Sequence, residues 1–179
     1  MAKIDQLKLA AATEKPTTVC PSGSGHTWVL VQAAGNKSLD DKIKDLKASP
    51  KAGTQFEGAA AEHNKNDGTL KDSKDLSDDS DQLSWECAFP GCNFKNNPRE
   101  GDHVTTDGAG KRQAVEVKAT TALDERSARQ LGRNLQAASQ GAVAGVTMKI
   151  PAGPQRSTLV SQIKQVAASL GQAVQIIRV

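Results

Sequence analysis

The sequence predicts a mixed α/β protein in which helices cover the faces of one sheet. Two short β-branched runs, Gly101 to Thr106 and Gln113 to Lys118, flank the turn Asp107-Gly108-Ala109-Gly110 and predict a hairpin. Two segments with apolar residues at helical spacing follow, each ending at a glycine, and each leads into an alternating strand. The order hairpin, helix, strand, helix, strand is that of a mixed sheet with covering helices.

Before the hairpin, Leu39, Ile43 and Leu46 predict one short helix, and Gln55 to His63 a second with Phe56 and Ala59 to Ala61 as its apolar face. Asp67, Asp72, Asp75, Asp78, Asp79 and Asp81 crowd residues 64–82, which read as an acidic, solvated and mobile insertion. After the hairpin, Leu123 to Gln140 carries the stripe Ala128, Leu131, Leu135 and Ala138, with Gly141 ending the helix. Val146, Met148 and Ile150 alternate as a strand that Pro151 closes. Ser157 is placed to cap a helix buried along Leu159, Ile163, Val166 and Leu170, and Ala173 to Val179 is the last strand.

The 179 residues suffice for one domain, or one domain with a small appendage, that buries roughly 70% of its unfolded surface. No apolar run approaches the ~20 residues of a membrane span, and the polar Thr-Glu-Lys-Pro after Leu9 is unlike a secretory signal. With 3% aromatic residues and no Tyr, base or sugar stacking is a poor basis for function. Charge is uneven. Ten basic against three acidic side chains after residue 110 leave that third at +7 and the preceding residues at −4, within a total of +3. A basic lobe suits a polyanion, whose phosphates supply most of the affinity; a solvated basic surface accounts for the same charges.

The chemistry concentrates in residues 99–118. Strand alternation puts Glu116 and Lys118 on one face, with Val115 and Val117 on the other, and the hairpin brings Asp102 beside them. Two carboxylates can hold magnesium or manganese, which polarises a phosphodiester and acidifies a bound water. Lys118 can orient or deprotonate that water, or stabilise developing negative charge. An exposed cross-strand charge cluster is the plainer reading of the same three residues.

Gly-Asp-His-Val-x-x-Asp-Gly followed by Val-Glu-Val-Lys resembles the PD-(D/E)xK nuclease superfamily. Asp102 matches the first acid, Glu116 the second and Lys118 the lysine, with Gly101 where the family's proline commonly stands. The resemblance spans about residues 54–179 and implies a restriction-endonuclease-like sheet with residues 1–53 as an added N-terminal segment. It also implies a further acid from the preceding helix, for which Glu57 is a better candidate than Glu62. Arg126, Gln130 and Arg133 recur at i, i+4 and i+7 after Lys118 and are the substrate-side candidates.

Cys20-Pro-Ser-Gly-Ser-Gly-His26 and Cys87-Ala-Phe-Pro-Gly-Cys92 form a second constellation. Cys20, His26, Cys87 and Cys92 make a Cys3His set suited to structural zinc, stapling the N-terminal segment across the domain. A Cys87 to Cys92 disulfide with Cys20 free is the alternative. Zinc is preferred because nothing indicates an oxidising destination. The resulting expectation is a magnesium- or manganese-dependent endonuclease acting on DNA, with RNA, including transfer RNA, as the alternative substrate. The resemblance implies a bacterial toxin domain with a cognate immunity protein, delivered as part of a larger secreted protein and acting in the target cytoplasm, with repair, phage and restriction nucleases of the same fold as the alternatives. From another class, a non-catalytic zinc-containing nucleic-acid-binding module also fits.

Overall fold

A computed structural model describes residues 4–12, 26–92 and 99–179. Five helices occur among them: α1 Ile4–Ala12, α2 Leu39–Ala48, α3 Ala52–Asn66, α4 Glu125–Ser139 and α5 Ser157–Ser169. The strands are β1 Trp28–Val31, β2 Leu83–Cys87, β3 Arg99–Gly101, β4 His103–Thr106, β5 Arg112–Val117, β6 Gly145–Ile150 and β7 Gln175–Arg178. They build two sheets. β1, β2 and β3 are antiparallel neighbours, whereas β4, β5, β6 and β7 form a mixed sheet, antiparallel at β4/β5 and parallel thereafter.

Local chemistry explains the helix starts. Ser38 caps α2 by accepting the Asp41 N–H, and Asp124 caps α4 by accepting the Ser127 N–H at 2.7 Å. Arg156, rather than Ser157, occupies the cap position of α5, and no side chain bonds there. The hairpin turns as its residues require: Asp107 Oδ1 accepts the N–H groups of Ala109 and Lys111, and Gly110 takes φ +77°.

The four-stranded sheet separates two apolar layers. Val146, Met148 and Ile150 of β6 join Leu131 and Leu135 of α4 and Leu159 and Ile163 of α5 in the main core. Val115 and Val117 face the other way, against Ala60 and Phe56 of α3. α2 lies so close on α3 that a Cβ at Gly58 would stand 2.8 Å from the Lys47 backbone nitrogen. That approach leaves no room for a side chain.

Three features depart from the sequence expectations. The N-terminal half supplies its own strands and helix: Leu7 of α1, Trp28 of β1 and Trp85 of β2 are buried in the main core with α4 and α5. Residues 64–82 are a packed segment instead of a solvated loop. Leu70 and Leu76 sit in a core with Ile43 and Leu46, and Asp81 is buried against Lys42 at 2.8 Å. Burial opposes ionisation of Asp81, yet Lys42 and the Ala34 and Gly35 N–H groups lower its carboxyl to about 2. Finally, the run expected to be one strand from Gly101 divides at Asp102. Gly101 pairs with Leu83 in one sheet, and His103 pairs with Val115 in the other.

Candidate active site and metal cluster

The break between the sheets positions the first acid. Asp102 belongs to neither strand, so its side chain turns toward the end of β5, where Oδ2 accepts the Val117 N–H at 2.6 Å. Glu116, 1% exposed, projects from β5 toward α4. Its Oε1 lies 2.7 Å from Lys118 Nζ, and its Oε2 accepts a hydrogen bond from Asn134 Nδ2 at 3.1 Å. Lys118 Nζ also donates to Gln130 Oε1 at 2.9 Å.

Asp102, Lys118 and Gln130 border a cleft of about 410 Å³ between α3, the 76–82 segment and the first turns of α4, whereas Glu116 is buried and is not among the residues lining it. Glu57, Asp102, Lys118, Arg126 and Gln130 line it, together with Asp79. Glu57 is therefore at the site, while Glu62 is drawn away to Lys47 at 2.7 Å. Arg133 is half-buried and does not line this cleft. The helical row explains the difference. Four residues advance about 40° beyond one turn, so Arg126, Gln130 and Asn134 pass from exposed to buried, whereas Arg133 returns to the side of Arg126 but about 10 Å further along the helix, away from the first turns that border the cleft.

The crowding is visible in the ionisation of the cluster. Burial first, then the Glu116 and Glu57 charges, push the Asp102 carboxyl well above the ordinary range against Lys118 and the Val117 N–H. Burial likewise raises Glu57, with Glu116 and Asp79 adding to it and Lys118 opposing. Burial disfavours the Lys118 charge, but Glu116 and Asp102 outweigh it and hold the ammonium above the ordinary lysine value. These neighbours favour the Lys118 ammonium, which acts as a donor. Glu57, Asp102 and Glu116 do not form a closed three-ligand cluster.

Such a cluster occurs elsewhere. Among the described residues, His26, Cys87 and Cys92 bring three ligand atoms within 4.8 Å of one another and could hold a metal ion. His26 Nδ1 is 3.2 Å from Cys87 Sγ, and its ring stacks on Phe89 with centroids 4.1 Å apart. No disulfide joins Cys87 to Cys92 among these residues. Cys20, the fourth expected ligand, lies outside the described residues.

Sequence reasoning missed Asn134 and Trp85. Extending the Arg126, Gln130 row by one more i+4 step was the signal available for Asn134. Trp85 offered none, because β2 belongs to the unanticipated sheet. Comparison of the chain with protein-family models, curated proteins and solved structures found no match. No helix among the described residues is long and apolar enough to cross a membrane.

Proposed function

We propose that the chain is a metal-dependent endonuclease hydrolysing phosphodiester bonds in DNA, with the PD-(D/E)xK type of site that its motif resembles. The observation carrying this reading is the convergence of Asp102, Glu116 and Lys118 at the end of β5, with Asp102 and Lys118 lining a cleft that Glu57 and Gln130 also line. A magnesium or manganese ion held by Asp102 and Glu116 would polarise the phosphodiester and acidify a bound water.

Lys118, kept protonated by its carboxylate neighbours, offers N–H donors to the negative charge that develops on the phosphate. Gln130 orients that ammonium through its side-chain oxygen. Arg126, exposed at the rim, binds an adjoining phosphate and fixes the strand without reading its bases. Asp79 and Glu57 make the opposite wall acidic, so the strand's backbone runs along the α4 side.

The His26, Cys87 and Cys92 cluster is read as a structural zinc site that ties the β1 and β2 ends together. By the same resemblance, the protein acts in the cytoplasm of a target cell as a toxin domain with an immunity partner. Incubating purified protein with plasmid DNA and with total RNA, in magnesium, manganese or chelator, tests the reading. Chelator-sensitive plasmid cleavage supports it. Cleavage of RNA alone moves the substrate class, and cleavage of neither leaves a nucleic-acid-binding module as the better description.

A further inference from the structure

Behind Glu116 runs a buried polar chain for which the cleft chemistry has no direct use. Trp85 Nε1 donates to Asn134 Oδ1 at 2.7 Å, and Asn134 Nδ2 donates to Glu116 Oε2 at 3.1 Å. All three residues are at most 2% exposed. They come from β2, α4 and β5, so the chain bridges both sheets through one helix.

The direction of this chain is set by chemistry. An indole N–H can only donate, so it binds the oxygen of the Asn134 amide and turns the NH2 group toward the carboxylate. Asn134 bonds Oε2 and the Lys118 ammonium forms an ion pair at Oε1, so Glu116 faces a partner at each oxygen. A polar chain is costly to bury unless every member is satisfied, and an apolar trio would fill the same space without that cost. Its position behind the carboxylate that pairs with Lys118, a residue lining the cleft, gives it a purpose. Groups of this kind orient the oxygens that ligate a metal, and losing one typically costs 10- to 100-fold in affinity or activity.

We propose that Trp85 and Asn134 are positioning residues that hold the Glu116 carboxylate in its metal-binding orientation, the indole fixing the amide and the amide fixing the acid. This rests on the nuclease reading of the cleft, and its test separates the two. Asn134→Leu should lower kcat roughly 10- to 100-fold with KM changed less than about threefold. Trp85→Phe should act in the same direction, more weakly, and add nothing in the Asn134→Leu background.

A readout independent of cleavage follows from composition, since Trp28 and Trp85 are the only two tryptophans. In a proton–nitrogen NMR spectrum the chain has two indole N–H signals, and magnesium added to the wild type should move that of Trp85 through Asn134. Asn134→Leu should abolish the response. If Asn134→Leu does not fold, Trp85→Phe with manganese calorimetry carries the test and should weaken affinity roughly 10-fold. A wild type that cleaves and is silenced by Glu116→Gln, yet keeps full kcat and metal affinity with Trp85→Phe and Asn134→Leu, would overturn the positioning role alone. A wild type that neither cleaves nor binds magnesium or manganese would overturn the nuclease reading and this proposal with it.

Discussion

The carboxylate of Asp102 and the backbone N–H of Val117 lie fifteen residues apart in sequence and 2.6 Å apart in space. This bond ties the point where the chain leaves one sheet to the end of β5, an interior strand of the other. It places the three motif residues together: Asp102 at the break, Glu116 one residue before Val117, and Lys118 one after it.

Glu116→Gln keeps the shape of the side chain and removes its charge, and Lys118→Ala removes the donor aimed at the phosphate. Either change should lower cleavage by at least about 100-fold, while circular dichroism shows a folded chain; Lys118→Ala should also lower Tm, because it leaves Glu116 buried without its counter-charge. Near-native cleavage by both variants would remove these residues from the chemistry.

Two of the three arginines of α4, Arg126 and Arg133, should now separate. Arg126 lines the cleft and Arg133 does not. Neutralising Arg126 should reduce the slope of log affinity against log salt by about one, as one phosphate contact is lost. Arg133→Gln should leave that slope nearly unchanged. Equal effects from both would mean that the strand lies across α4 instead of along the cleft.

Metal at His26, Cys87 and Cys92 requires a neutral imidazole and deprotonated thiols, so its affinity should fall as protons compete at acid pH. Protein purified without added metal should contain stoichiometric zinc by elemental analysis. Cys92→Ser should lower Tm by on the order of 10 °C with little change in kcat of the folded fraction. Zinc-free protein of wild-type stability would refute the site.

Asp81 predicts an acid limb of stability. Its carboxyl is lowered to about 2 in the folded chain, below the ordinary value of 3.8. The unfolded chain therefore takes up this proton first, and the pair's contribution, complete above about pH 4, disappears as pH falls toward about 2. Denaturant titrations at pH 6, 4, 3 and 2 should show that decline. Asp81→Asn should flatten it and cost roughly 3 to 5 kcal/mol at neutral pH, because Lys42 is left buried without its counter-charge.

The sequence alone determined what is local. Helical stripes, turn glycines and strand alternation located α4, β6, α5 and the β4/β5 hairpin, because hydrophobic period and turn chemistry act within a few residues. Alternation also put Glu116 and Lys118 on one face, and turn geometry brought Asp102 to them. Tertiary structure decided whatever depends on distant partners. Trp28 to Val31 and Leu83 to Cys87 become strands by pairing with each other across some fifty residues, and Leu83 to Cys87 also by pairing with Arg99 to Gly101. The acids of residues 64–82 look like a solvated loop until Lys42 and the Ala34 and Gly35 N–H groups enclose Asp81. The Trp85, Asn134 and Glu116 chain draws one residue from each of three elements, and no periodicity encodes such a meeting, because burial and hydrogen-bond satisfaction belong to the assembled core.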